Sequence, residues 1–391
     1  MMRHDSVIVA GAGPVGLVAA LVLADAGVKV TVLEKRAALN TASKASTFHP
    51  PTLEILAHLG VLPLVLDLGV IADRVQFRTA AEGVFAAFSL SLLKGDTPYP
   101  FRMHLEQAQV TPLLLRRIRR HRHAEIWFNA EIVALSTEGE GVRARIRRDG
   151  LDSDLTGQYL IGADGSRSRV RDALGASFDG IVYPDKILRV MTDEDLGGLV
   201  PGLAPVTYLF NGDKSISFLK MPDCWRIILR VAKEHSDEQA LAPDWILDRL
   251  REVIPHCRRL PNVAMKDVYQ VSRRVAGFYR AGSAYLAGDA AHLTNTRGGM
   301  NMNCGIHDAF AIATAMVEAV RRGDRSIVDA ASDRRRRVAT EQLIPRTDRN
   351  VAGGQAWLDK LRDMAASREQ ALDYLRATAM MDMAPPIPAV A

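Results

Sequence analysis

The sequence predicts an α/β protein in which a parallel-sheet domain is interrupted by an antiparallel β-sheet and followed by C-terminal helices. Three observations lead there. A short apolar strand near the N-terminus runs into a glycine-rich turn and an apolar helix; two later strands each end in a loop containing Asp and Gly; and residues 206–231 alternate strand-like runs with turn residues. The 391 residues are 48% hydrophobic and 24% charged with average Gly and Pro, which excludes collagen-like, disulfide-scaffold and disordered classes. A net charge of +5 spread over this length is too mild to indicate a nucleic-acid partner. Cys224, Cys257 and Cys304 are widely spaced and form no CxxC, so neither a zinc module nor a disulfide framework is expected, and the compartment is read as cytoplasmic and reducing.

Val7–Ala24 is strongly apolar and follows Arg3 and His4, as a secretory leader would, but Gly11, Gly13, Pro14 and Gly16 interrupt it. No other stretch approaches the ~20 apolar residues needed to cross a bilayer, so no membrane association is expected. Ser6-Val7-Ile8-Val9-Ala10 instead reads as a buried parallel strand. Gly11-Ala12-Gly13-Pro14-Val15-Gly16 follows as GxGxxG, Leu17–Ala26 as a buried helix capped by Gly27, and Val28–Leu33 as a second strand ending at Glu34. This is a Rossmann-like βαβ unit. Its glycines permit the tight turn, the approach of a pyrophosphate and close helix–strand packing, and the helix N-terminus favours the anion. Glu34 is placed to accept hydrogen bonds from an unphosphorylated adenosine ribose, so the unit alone admits FAD or NAD.

Two further motifs bear on that choice. Tyr159–Gly162 is a strand leading into Ala163-Asp164-Gly165-Ser166-Arg167-Ser168-Arg169-Val170-Arg171. Ala284–Leu286 leads into Gly288-Asp289-Ala290-Ala291-His292 and the loop Thr294–Asn303, with a long helix expected from near Gly305 to Arg322 and capped by Gly323. A carboxylate after a buried strand can hold a polyol hydroxyl. The helix beyond it would direct its positive end at a ring that gains negative charge on reduction.

In these three stretches the sequence resembles the single-component FAD-dependent aromatic hydroxylases of the para-hydroxybenzoate hydroxylase type, over roughly residues 4–340. Lys44–Glu54 and Gly298-Gly299-Met300 are similar to the branch containing para-nitrophenol and phenol or pyridine-ring monooxygenases. The resemblance implies that Gly11, Gly13, Val15 and Gly16 hold the FAD pyrophosphate, Glu34 the ribose with Lys35 beside it, and Asp289 the ribitol. It places Gly299, Met300 and Asn301 against the flavin ring, Gln107 on FAD, and Asp164 and Gly165 in a motif serving FAD and nicotinamide binding. The chain departs from the family pattern at Lys44, where Arg is usual, at Thr296, where Pro is common, and at Asn301, where Gly is common.

The activity so implied is hydroxylation of a phenol, hydroxybenzoate, nitrophenol or hydroxypyridine with O2 and NADH or NADPH, through a flavin C4a-hydroperoxide. With one dinucleotide fingerprint only, the nicotinamide is expected to bind transiently. A base near the substrate hydroxyl is expected, with His49, Tyr208 and His292 as candidates. The alternatives are another flavin reaction on the same fold (epoxidation, halogenation or reduction) or a non-enzymatic FAD-binding module; no WxWxIP halogenase signature is present. A homodimer is a family-level expectation.

The FAD-binding domain is expected to be discontinuous, comprising residues 1–70, 101–179 and 271–354. Residues 71–100 and 180–270 form the substrate-binding sheet, with strands at Val206–Phe210, Ser215–Met221 and Trp225–Val231 separated by Asn211-Gly212-Asp213 and Pro222-Asp223. Residues 355–391 are a helical segment with a Pro-rich tail, leaving no room for the extra C-terminal domain of larger phenol hydroxylases. The basic runs Arg116–His123 and Arg334–Arg337 read as solvated helix faces.

Overall fold

The computed structural model describes residues 6–137, 141–212, 214–351 and 354–387, with the side chains of 350 and 351 excepted. Arg3, His4, Asp213 and the end of the Pro-rich tail lie outside the described residues. The expected βαβ unit is present: strand Ser6–Ala10, helix Pro14–Asp25 and strand Lys29–Leu33, with Gly27 at φ +81° just past the helix. The helix is apolar on all sides because it is enclosed. It packs between the sheet and the helices Gln107–Ile118 and Asn301–Arg322, burying Leu17, Leu21 and Leu23 completely.

Strand Ser6–Ala10 pairs in parallel with Lys29–Leu33 on one side and Tyr159–Gly162 on the other; the latter pairs in parallel with Ala284–Leu286. Ala124–Trp127 and the antiparallel Arg280–Ala281 complete a six-stranded sheet. Segments far apart in sequence thus end side by side, each delivering a motif to the same edge. A three-stranded antiparallel sheet, Ala130–Ser136, Val142–Arg148 and Leu151–Gly157, adjoins it.

The second large sheet has eight strands. Val206–Asn211, Lys214–Lys220 and Trp225–Val231 form its middle at the predicted positions. Five further strands complete the sheet around them: Phe178–Thr192, Met265–Ala276 and, at the edge, His292–Leu293 on one side, and Arg74–Thr79 and Gly83–Ser89 on the other. Met265–Ala276 and His292–Leu293 run this sheet up against the Gly-Asp loop. Helices Gln355–Ala366 and Arg368–Thr378 cover the Arg74–Ser89 hairpin, burying Leu361 and Leu375.

Two readings are corrected. The long helix begins at Asn301 rather than near Gly305. Gly and Asn are weak helix formers, which is why the run looks like loop, but the Asn303 amide is tied into its surroundings: Nδ2 donates to the Thr47 and Gly299 carbonyls, and Oδ1 accepts from the His49 amide. Arg335 is not on a solvated face. It is 2% exposed and ion-paired with Asp308.

Candidate active site

The three motifs converge with no room to spare. A methyl at Gly16 would lie 2.0 Å from the Gly11 carbonyl oxygen, and one at Gly11 would lie 2.4 Å from that of Ala163. A methyl at Gly305 would lie 2.8 Å from the Gly288 Cα and 3.0 Å from Val15. The first turn, the Asp-Gly loop, the Gly-Asp loop and the long helix therefore touch through glycine. Gly13 differs: a methyl there meets nothing within 4 Å. The helices starting at Pro14 and Asn301 both lack a capping side chain, so the amides of their first turns have no side-chain partner at the N-cap. Glu34 is held 7% exposed, accepting from the Ala12 and Arg36 amides at 3.0 Å each.

A cavity of about 840 Å³ opens beyond these turns. One wall is the eight-stranded sheet, presenting Tyr208, Ser215, Arg189 and Tyr269; the other is Ser43–Thr47, Gln107, Asp289 and the loop Leu293–Met302. Asp289 is bound by the Asn301 amide at 2.8 Å, and burial raises its pKa against the pull of His292 and Lys44. Lys44 lines the cavity, as do Gly299, Met300 and Asn301 at the start of the long helix. Gln107 begins helix Gln107–Ile118 at the cavity wall, its amide donating to the Ala45 carbonyl. These features suit a dinucleotide: uncapped helix ends for phosphate, a fixed carboxylate for ribose, a buried carboxylate for a polyol and a flat loop for a ring.

The sequence matches a family model described as the FAD binding domain over residues 4–344. The chain belongs to that family. It is 28% identical to para-nitrophenol 4-monooxygenase of Pseudomonas sp. strain WBC-3, over 95% of this chain and 93% of that protein. It is also 28% identical to 6-hydroxy-3-succinoylpyridine 3-monooxygenase HspB of Pseudomonas putida strain DSM 28022 / S16, over 98% and 99% of the two chains. Among solved structures, p-nitrophenol 4-monooxygenase PnpA from Pseudomonas putida DLL-E4 superposes with a TM-score of 0.87 at 25% identity, covering 98% of each chain. FAD is accordingly the cofactor of the site, and the fold is that of the FAD-dependent aromatic hydroxylases.

The structure separates the predicted residues. Asp164 turns away from the cavity: it accepts from the Ser168 hydroxyl at 2.5 Å and the Val170 amide at 3.1 Å, fastening helix Arg169–Ala173, with Gly165 at φ +87° in the turn. Lys35 is solvent-exposed beside Glu34.

Of the three base candidates, two do not reach the cavity. His49 is fully buried at the start of helix Pro50–His58; its Nε2 donates to the Gly298 carbonyl at 2.9 Å, and burial, aided by Arg102, holds its pKa well below the usual value. It is a neutral tie for the loop around Gly298. His292 lies behind that loop. Its Nδ1 meets the Asn301 amide oxygen at 3.1 Å and its Nε2 meets Asp308 at 2.9 Å, so both ring nitrogens face acceptors. Burial opposes charge there, but Cys304 and Asp308 outweigh it and raise the pKa well above the ordinary histidine value. His292 is thus a buried cation that orients Asn301 toward Asp289. Among the described residues no histidine lines the cavity. Tyr208 does line it, stacked on Phe77 at 5.2 Å.

His292, Cys304 and Asp308 also have the spacing of a metal site, with ligand atoms within 4.8 Å of one another. Arg335 already supplies the cation, reaching Asp308 at 2.7 Å and the Cys304 sulfur at 3.2 Å. Sequence reading missed this cluster, because Arg335 lies in a run of four arginines whose members look alike. It also missed Arg226, which reaches Glu106, Ser46 at 2.8 Å and Ser43 at 3.0 Å and so anchors the Ser43–Thr47 wall to the sheet.

Proposed function

We propose that this protein is an FAD- and NAD(P)H-dependent monooxygenase that hydroxylates an aromatic ring bearing a hydroxyl group, the class to which its relatives' nitrophenol and hydroxypyridine substrates belong. The observation that carries this reading is the cavity itself. It joins the loop Gly298–Met302, on which the flavin ring would rest, to a sheet wall that presents aromatic and hydrogen-bonding side chains. FAD, once bound and reduced, supplies oxygen activation.

The chain's own residues hold, orient and enclose. Gly11, Gly13, Val15 and Gly16 would cradle the pyrophosphate, Glu34 the ribose and Asp289 the ribitol, with Gln107 and Lys44 alongside and Gly299, Met300 and Asn301 under the ring. The N-terminus of helix Asn301–Arg322 would stabilise negative charge developing over it. Tyr208 and Tyr269 would flank the substrate; burial raises the pKa of Tyr269, so its hydroxyl donates a hydrogen bond at neutral pH rather than removing a proton. The single dinucleotide fingerprint is assigned to FAD, so NADH or NADPH would visit the cavity transiently. The test is a panel of phenols, hydroxybenzoates, nitrophenols and hydroxypyridines given to the FAD-loaded protein. Stimulated NAD(P)H oxidation with a product one oxygen heavier supports the reading. Flavin that no ring compound affects overturns it.

A further inference from the structure

Beyond Tyr208 the main cavity borders a second gap of about 30 Å³, closed by Phe77, Trp357 and Tyr374. That volume suits one small polar group rather than a ring. Arg102, Tyr208, Arg297, Gly298 and Met300 line both spaces, so the gap is an extension of the substrate chamber. Two arginines line this border. Arg297 projects from the flavin-facing loop, donates to the Ser215 hydroxyl at 2.9 Å and lies 6.0 Å from the centre of the Tyr208 ring. Arg102 is 4% exposed; its Nη2 reaches the Thr378 carbonyl at 3.3 Å, and its Nε is buried without a hydrogen-bond partner. A buried donor left unmade is costly, and a planar guanidinium is suited to a carboxylate.

We propose that this border is an anion subsite, and that the aromatic substrate carries a carboxylate which Arg297 and Arg102 receive while its ring occupies the main cavity. The inference rests on the aromatic-hydroxylase reading above and narrows it to hydroxyaryl carboxylates. The local field agrees. Burial, and then the like charge of Arg230 on the sheet wall, press the Arg297 pKa down to about 10, and a bound anion relieves both.

The test compares matched acids and amides, hydroxybenzoates against hydroxybenzamides and hydroxyphenylacetates against hydroxyphenylacetamides, titrated into the FAD-loaded protein. Dissociation constants are read from the perturbation of the flavin absorbance. At least one acid is expected to bind about tenfold or more tighter than its amide, since charge-assisted hydrogen bonds have no counterpart in the amide. Arg297→Gln and Arg102→Gln should each abolish that preference, acid and amide then binding alike, and Arg297→Lys should keep part of it. Bound FAD per protein, measured in each variant, shows that the fold is intact, and the wild-type comparison needs no variant. Equal affinity for acid and amide in every pair, or a preference that survives in both Gln variants, overturns the proposal. Failure of the underlying reading looks different: no ring compound, charged or neutral, would perturb the flavin or accelerate NAD(P)H oxidation, and the subsite would fall with it.

Discussion

A methyl group added at Gly13 meets no protein atom within 4 Å, whereas one at Gly305 lies 2.8 Å from the backbone of Gly288. The two glycines of one site therefore answer to different constraints. Gly13 has φ −75° and ψ 176°, which alanine adopts without strain, so Gly13→Ala should leave the apoprotein's melting temperature nearly unchanged. If the open space belongs to the pyrophosphate, the same change should weaken FAD binding by about tenfold or more, or at least 1.4 kcal/mol. Gly305→Ala should instead destabilise the apoprotein by about 1–3 kcal/mol, measured by denaturant unfolding, because two backbones must separate. Replacing Arg335 with methionine should cost more, about 3–5 kcal/mol, because it leaves the Asp308 carboxylate buried without its partner. Sequence spacing reveals the glycines but not this difference, since a motif records that a residue is small and not what fills the space beside it.

The helix Asn301–Arg322 carries much of the site's electrostatics. Its first turn faces the cavity, and its second turn holds His307 and Asp308, both completely buried. His307 donates to or accepts from the Thr52 hydroxyl at 3.0 Å, and burial with the nearby Arg335 lowers its pKa to about 3. His104, on strand Arg102–His104, is likewise lowered by burial to about 4. A histidine whose folded pKa is depressed binds fewer protons than in the unfolded chain, so each makes the native state less stable as pH falls below the unfolded value of about 6.5. Near pH 5 the two together should give a slope of about 2.5 kcal/mol per pH unit, smaller toward pH 6 and pH 4, to which other groups add. His307→Gln should make that slope shallower in pH-dependent urea unfolding; an unchanged slope would show that His307 is not held neutral.

His292 has the opposite sign. Its raised pKa contributes stability that is fully present below about 6.5 and is lost as pH rises through its raised folded value. At this scale the fold was readable where residues repeat a simple period. Trp225–Val231 and the first βαβ unit stand where alternation and apolar runs put them. The start of the long helix was not, because Asn303 and the glycine turn before it are stabilised by contacts with Thr47 and His49, some 250 residues away.

Across the whole molecule, the eight-stranded sheet and loops from the parallel-sheet half enclose the chamber, and each large sheet is assembled from segments that are distant in the chain. We regard residues 1–70, 101–179 and 271–354 as the FAD-binding domain and 71–100 with 180–270 as the substrate-binding domain, since the two large sheets divide along nearly these lines. The turns and acids expected to hold the cofactor were legible as a group because a dinucleotide imposes fixed spacings on them, and the structure brings those turns together. The opposite wall was legible only at Tyr208, because Arg102, Arg297 and Tyr269 are single residues on separate elements that no local pattern links. For the same reason His49 and His292 looked like bases, while the structure uses one to tie a loop and the other to orient an amide. No helix among the described residues is long and apolar enough to cross a membrane, and the three cysteines are free.

The central claim, that the chamber brings an aromatic ring to a flavin which transfers one atom of molecular oxygen, is tested most directly by turnover under oxygen-18 gas. The FAD-loaded protein, supplied with NAD(P)H and a hydroxyaryl substrate from the panel, should yield a ring-hydroxylated product carrying a single oxygen-18 atom, with NAD(P)H and oxygen consumed in equal amounts. A product with unlabelled oxygen, or NAD(P)H oxidation that yields only hydrogen peroxide with every ring compound, would contradict it.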